Sequence, residues 1–271
     1  MTRIALFQMT AGIAPARNAN AIVAAAREAA GEGAAMLFTP EMSGLLDRDR
    51  VRAAGLIARE DDDRVLAATC EAAAREGIWI ALGSLAIDRG DGKWANRSYL
   101  IGPDGTIAAR YDKIHMFDVD LASGESWRES NAYKPGNEVV TAQTPLGRIG
   151  LAICYDLRFP ALFEALGRHS CDAIAIPAAF TVPTGEAHWH VLQRARAIEA
   201  SAYVIAAAQV GDHEDGRRTY GHSLVVDPWG EVLLDMGGER TGVGFAEIDL
   251  ERIAQVRRQV PSLANRREIA N

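Results

Sequence analysis

The sequence predicts an α/β fold. Short apolar runs of strand length alternate with longer alanine-rich, charge-spaced segments, and many of the runs are apolar on both faces, as in a sheet covered on both sides. The order of elements in the first half also recurs in the second. With 271 residues, 48% hydrophobic and 24% charged, the chain has the composition of a globule rather than of a disordered, collagenous or disulfide-stapled protein.

In order, residues 3–8 (RIALFQ) read as a strand, and the alanine-rich stretch 16–31 as a helix ended by Gly31-Glu32-Gly33. AAMLFT at 34–39 is the second strand. The helix expected at 61–76 places Val65, Leu66, Ala68, Thr69, Ala72 and Ala73 at helical spacing. Residues 78–87 form a third strand, followed by a hairpin of 98–101 with 106–111, SYLIGPDGTI, in which Pro103 fixes one φ and Gly105 permits another. The series then repeats: strand 148–154, helix 160–169, strand 173–177, helix 186–201, strand 202–209, and a hairpin of 223–226 with 232–235, SLVVDPWGEV. A last strand covers 242–248. At an offset of 125 residues Ser98 matches Ser223, Pro103 matches Pro228 and Gly105 matches Gly230. A true duplication predicts two similar sheets packed face to face with helices outside, in one domain over residues 1–271, and no Pro/Ser-rich linker separates the halves.

Charge and cysteine usage narrow the function. Against 29 Lys+Arg stand 36 Asp+Glu, a net charge of −7, and no basic stripe offers itself to nucleic acid. Cys70, Cys154 and Cys171 are odd in number and lack a Cys-x-x-Cys pair, which argues against disulfides or a cysteine metal site and for a reducing compartment. The first apolar run is broken at Gln8, too early for an export signal, and no run approaches the ~18 to 20 apolar residues of a membrane span. The expectation is a cytoplasmic protein without nucleic-acid or membrane partners. No phosphate-binding loop occurs, Gly31-Glu32-Gly33 ends a helix instead of following a strand, and GHSLV lacks the last glycine of a serine elbow.

RIGLAICYDLRFP is the sharpest local signal: an apolar strand delivers Cys154 into a polar turn with Tyr155, Asp156 and Arg158. On position alone Cys154 is either a nucleophile or a small buried hydrophobe, whereas Cys70 and Cys171 lie in ordinary structural settings. Only a thiolate attacks, so a nucleophilic cysteine needs a proton acceptor. His169, His188, His190 and His213 read as surface or capping residues. Glu41, directly after Pro40 at the end of a buried strand, is either that base or a solvated loop residue, and Lys113 in RYDKIHMFD is by itself an ordinary surface lysine. Asn96-Arg97-Ser98 fits a glycosylation triplet by chance.

Taken together, PEMS around Glu41, YDKIHMFD around Lys113 and AICYDLRFP around Cys154 resemble the three signature motifs of the nitrilase superfamily of thiol carbon-nitrogen hydrolases, in order and at separations of 72 and 41 residues. HMFDVD, WRESNAYKPG and VPSLANRR are most similar to the deaminated-glutathione amidase and omega-amidase branch. The resemblance implies a four-layer αββα sandwich with internal pseudo-twofold symmetry, a homodimer or higher homo-oligomer, and catalytic residues Glu41, Lys113, Cys154 and Glu129. It implies hydrolysis of a small ω-amide bearing an α-keto acid to acid plus ammonia through a cysteine thioester, with no metal or other cofactor. Arg158 would clamp the substrate carboxylate, its alternative role being a structural salt bridge. Tyr155, Phe117, Phe180 and Thr181 are placed at the pocket by closeness to the motifs.

In the expected mechanism Glu41 takes the thiol proton, Lys113 favours thiolate, and Lys113 with the Tyr155 N–H forms an oxyanion hole. Glu129 would orient Lys113 or the substrate amide, and one carboxylate beside another should raise at least one pKa. The alternatives are an N-carbamoyl amino acid amidohydrolase or nitrilase of the same superfamily, or a non-catalytic redox-sensing or binding protein using Cys154 as a reactive thiol.

Overall fold

A computed structural model describes residues 1–120, 124 and 126–267. In chain order the elements are β1 (Thr2–Gln8), α1 (Pro15–Gly31), β2 (Met36–Phe38), α2 (Arg50–Ala54), α3 (Arg64–Glu76), β3 (Trp79–Asp88), β4 (Trp94–Ile101), β5 (Ile107–Asp112), β6 (Asp118–Asp120), β7 (Ser126–Arg128), β8 (Thr141–Thr144) and β9 (Gly147–Leu151). There follow α4 (Pro160–Arg168), β10 (Ala173–Ala175), α5 (Val182–Ala200), β11 (Tyr203–Ala206), β12 (Val210–Asp212), β13 (Arg218–Tyr220), β14 (Leu224–Val226), β15 (Val232–Asp235), β16 (Gly242–Ile248) and α6 (Leu250–Gln259).

Two six-stranded sheets run β16-β1-β2-β3-β4-β5 and β8-β9-β10-β11-β14-β15. Position by position they agree: an antiparallel edge pair, two parallel pairs, then two antiparallel pairs. α1 and α3 connect the parallel strands of one sheet as α4 and α5 connect those of the other, so the duplication read from the hairpins extends to the whole topology. Gly105 and Gly230 adopt φ of 80° and 88°, the left-handed conformation the two matching turns need.

Alternation along the strands sorts the layers. Ile4, Leu6, Met36, Phe38 and Leu100 of the first sheet pack into one cluster with Ile149, Leu151, Ile174 and Val225 of the second, while Ala5, Leu37, Ile80 and Tyr99 face the other way toward α1 and α3. α1 starts with a proline in its first turn and buries Ala19, Ile22, Ala25, Ala26 and Ala29. α3 is capped by the Asp63 side chain, which accepts from Leu66 N at 2.8 Å, and ends at Gly77 with φ 65°.

The differences from expectation lie at boundaries and in short elements the sequence did not mark, α2, α6, β6, β7, β8, β12 and β13. The cap at Asp63 leaves residues 60–62 as a separate 3₁₀ turn, and α5 begins at Val182 because Pro183 suits a helix's first turn. The second strand narrows from 34–39 to Met36–Phe38, and 202–209 to Tyr203–Ala206. β9 stops at Leu151, three residues short of Cys154, as the chain turns out of the sheet. α2 and α6 carry too little apolar pattern to be read, α6 burying only Ile253 and Val256. No helix among the described residues is long and apolar enough to cross a membrane.

Candidate active site

Glu41, Lys113 and Cys154 each follow a strand, and the backbone around each is fixed. Beyond β2, the close approach of the Pro40 carbonyl to β3 is possible because residue 83 is glycine, whose Cβ would lie 2.3 Å from the Pro40 oxygen. Gln209 Nε2 then donates to the Glu41 carbonyl at 2.9 Å. Lys113, just past β5, donates its N–H to Asn96 O and accepts at its carbonyl from Gly136 N, both at 2.9 Å. Cys154 opens a 3₁₀ turn after β9 with φ 47°, its N–H bonded to Pro177 O at 2.9 Å.

Asp156 secures that turn. Its buried carboxylate accepts from Ile153 N at 2.9 Å, Tyr111 OH at 2.6 Å and His115 N at 2.9 Å. Tyr111 and His115 flank Lys113, so one carboxylate ties the lysine segment to the cysteine turn.

At the centre, Lys113 Nζ donates to Glu41 Oε1 at 2.8 Å and to Glu129 Oε2 at 2.9 Å. Asn96 Nδ2 donates to Glu41 Oε1 at 2.9 Å and Glu129 Oε1 at 3.0 Å, and Ala179 N donates to Glu41 Oε2 at 3.0 Å. Glu129 also accepts from Phe117 N at 2.7 Å and a second contact from Lys113 at 3.2 Å, which fills both of its oxygens. Glu41, Lys113 and Cys154 are 5%, 2% and 7% exposed, so these charges act in a desolvated setting.

That setting fixes the resting protonation. Burial would raise the Glu41 carboxyl, but Lys113 and its other donors hold it below its ordinary pKa. Burial would lower the Lys113 ammonium, but Glu129 and Glu41 keep it well above its ordinary value. Burial and the Glu41 charge push the Cys154 thiol well up, with Lys113 opposing. At rest the site is therefore thiol, carboxylate and ammonium. Lys113 favours the thiolate as expected, but burial and the Glu41 charge outweigh it. One expectation is corrected: the Glu129 neighbour does not raise Glu41, because the ammonium sits between the two carboxylates.

The thiol faces a cavity of about 630 Å³, also lined by Glu41, Lys113, Glu129, Phe117, Tyr155, Arg158, Phe180 and Thr181. All the residues the sequence singled out as site candidates line this one cavity. Among the described residues Arg158 has no carboxylate partner. Its guanidinium lies 3.2 Å from His188 Nδ1 and 5.4 Å from the Phe180 ring centroid, so the structural salt bridge is not found. The Tyr155 N–H has no acceptor among the described residues. Cys70 and Cys171 keep their structural settings, burial pushing the Cys171 thiol up to about 12.

Asn96 and Asp156 are the functional positions the sequence hid. The only signal for Asn96 was an amide in the apolar strand WANRSYLI, read there as a chance triplet. His213 is corrected from surface to core, bridging Ala11 O and Thr219 Oγ1 at 2.8 Å each. His188 and His190 lie mid-helix in α5 rather than at its start. Away from the cavity, His190, His222 and Asp235 form the one group of three metal-capable side chains among the described residues, their ligand atoms within 4.8 Å of one another.

Comparison with known proteins shows the family. The carbon-nitrogen hydrolase family profile matches residues 3–258. The deaminated glutathione amidase of Yersinia enterocolitica is 43% identical over 206 residues, covering 74% of this chain and 71% of that protein. The human deaminated glutathione amidase is 38% identical over 269 residues, covering 97% and 82%. The crystal structure of the C. elegans NitFhit protein superposes with a TM-score of 0.90 at 37% identity, over 98% of this chain and 65% of that one. Fold, cavity and family match together show that this chain is an amidase-type enzyme belonging to the carbon-nitrogen hydrolase family of the nitrilase superfamily.

Proposed function

We propose that the enzyme hydrolyses a small ω-amide whose acyl part ends in an α-keto acid, with deaminated glutathione as the reference substrate, through a thioester on Cys154. The observation that carries this is the contact of Glu41, Lys113 and Glu129 in the lining of a cavity that Cys154 and Arg158 also line, Arg158 having no carboxylate partner among the described residues.

Glu41 Oε1 already accepts two donors, whereas Oε2 accepts one, so Oε2 holds the free lone pair that takes the thiol proton. Because the resting group is a thiol, proton transfer accompanies attack of sulfur on the amide carbon. The carbonyl oxygen becomes an oxyanion that the Tyr155 N–H and the Lys113 N–H released from its long 3.2 Å contact with Glu129 stabilise, each worth roughly 3 to 4 kcal/mol. Protonated Glu41 gives its proton to the leaving nitrogen, the amine departs, and Glu41 then takes a proton from the water that attacks the thioester. Acid and free thiol result. A primary ω-amide releases ammonia. In deaminated glutathione the ω-amide nitrogen is the cysteine nitrogen, so the leaving amine is cysteinylglycine. Arg158 binds the keto-acid carboxylate in a bidentate way, with Phe117, Tyr155, Phe180 and Thr181 shaping the wall. Glu129, with both oxygens filled, orients Lys113 rather than the substrate.

Assay of Cys154→Ala, Glu41→Gln and Lys113→Ala against deaminated glutathione, α-ketoglutaramate, N-carbamoyl amino acids and nitriles tests this. Wild-type turnover by Cys154→Ala ends the mechanism, and a larger kcat/KM for either of the last two substrates ends the substrate assignment. One domain is supported by the core cluster shared between sheets, a cytoplasmic location by three unpaired cysteines, and a homodimer by exposed Val191 and Ile198 on α5 beside Trp229, Val232 and Leu233 of the second hairpin.

A further inference from the structure

We infer that Asn96 is a positioning residue that fixes which oxygen of Glu41 acts as base, an inference that rests on the mechanism above. Asn96 is buried within β4 and spends both hydrogens of one amide on two carboxylates, Glu41 Oε1 at 2.9 Å and Glu129 Oε1 at 3.0 Å. Its own Oδ1 is buried without a partner among the described residues. An orphaned buried acceptor lowers stability, so its presence marks a side chain kept for what its donors do. Those donors complete the set on Glu41 Oε1 and leave the vacancy on Oε2. They also brace two carboxylates that share one lysine.

The ionisable groups facing Glu41 are Lys113 from the end of β5, Glu129 from the turn after β7 and Cys154 from the turn after β9, with the buried Tyr133 phenol near Glu129. Asn96 is the neutral donor among them. Removing it takes a stabilising hydrogen bond from ionised Glu41 and raises its pKa. Asn96→Ala is therefore expected to lower kcat for deaminated glutathione roughly tenfold or more with KM within about twofold. The acid limb of kcat and of Cys154 alkylation by iodoacetamide moves to higher pH, and the melting temperature falls as well, because two hydrogen bonds to carboxylates are lost. Asn96→Asp, adding a third carboxylate, loses more. Asn96→Ser, which keeps one donor, falls between and serves should the alanine variant not fold. An unmoved acid limb with unchanged kcat overturns the inference, as does a lower melting temperature as the sole effect. Alkylation needs no substrate, so it judges Asn96 even if the substrate assignment fails.

Independently, the geometry points to a binding site for a borderline divalent cation such as Zn²⁺ at His190, His222 and Asp235. The donors come from three segments, the middle of α5, the residue pair ahead of β14 and the end of β15. His222 Nδ1 lies 2.8 Å from Asp235 Oδ1, and His190 Nε2 lies 3.0 Å from Asp235 Oδ2. Two imidazole nitrogens and a carboxylate with their ligand atoms within 4.8 Å of one another suit Zn²⁺, which would replace the His–Asp235 hydrogen bonds and take solvent as a further ligand. Outer bonds hold the ligands in place: Gly237 N donates to Asp235 Oδ1 at 2.9 Å, and His222, at φ 55°, donates its N–H to Gly237 O and accepts at its carbonyl from Trp189 Nε1, both at 2.8 Å.

Tag-free protein stripped with chelator and titrated with Zn²⁺ should bind one equivalent, and Co²⁺ should give a visible ligand-field spectrum. His190→Ala and Asp235→Asn should each weaken binding about tenfold or more while leaving amide hydrolysis unchanged, since neither residue lines the cavity. No stoichiometric binding, or binding unchanged in the double variant, overturns the site.

Discussion

Glu41, Lys113 and Cys154 were legible because each follows a strand in a motif of several residues. Asn96 was not, because a polar residue inside a strand gives no local sign of what it faces. The protonation states were not legible either, since sequence cannot say which charge lies between two others. They give a pH prediction. The pKa of Glu41 is depressed, so its contribution to stability is present above the unfolded carboxylate value near 4.3 and is lost as pH falls through the folded value. The Lys113 pKa is raised, so its contribution is fully present below the unfolded value near 10.4 and is lost as pH rises through the folded value. The joint contribution of these two groups to melting temperature should therefore be level between these limits and fall outside them, while the raised Cys154 thiol lowers the melting temperature from the unfolded thiol value near 8.5 upward. Glu41→Gln should cost about 1.5 to 3 kcal/mol by denaturant titration, the range for a hydrogen bond to a charged group, because Glu129 still pairs Lys113.

Strands and helices with full apolar periods were readable to within a few residues, and those without one, such as α6, were not. The paired turns allow a test of this scale. Gly105→Ala meets the Cys70 carbonyl oxygen at 2.8 Å, whereas Gly230→Ala meets the Ile198 Cδ1 methyl at 2.7 Å. Both pay about 1 to 2 kcal/mol for a left-handed alanine. A backbone carbonyl cannot step aside and a side-chain methyl can, so thermal melts should show the Gly105 variant as the less stable of the two. Equal losses would mean that α3 gives way as readily as a rotamer does.

For the whole molecule, duplication was visible in sequence only at two hairpins because strand order is carried by pairing, which composition does not record. The proposed homodimer is testable here. Ile198 packs on the second hairpin at Gly230, and α5 and that hairpin together expose Val191, Ile198, Trp229, Val232 and Leu233. Light scattering should give twice the 29.2 kDa chain mass, and Ile198→Glu should shift it toward the monomer.

Doubling the fold did not double the chemistry. Glu41, Asn96 and Lys113 belong to the first sheet and its loops, Cys154 and Ala179 to the second, so the proposed base and nucleophile stand on opposite banks of the seam between repeats. On the proposed mechanism neither repeat alone owns a working reaction centre, and a slip of one against the other by the width of a hydrogen atom is expected to show first as lost turnover. The Asp156 bonds to Tyr111 and His115 are then rivets across that seam, and alignment is what they safeguard.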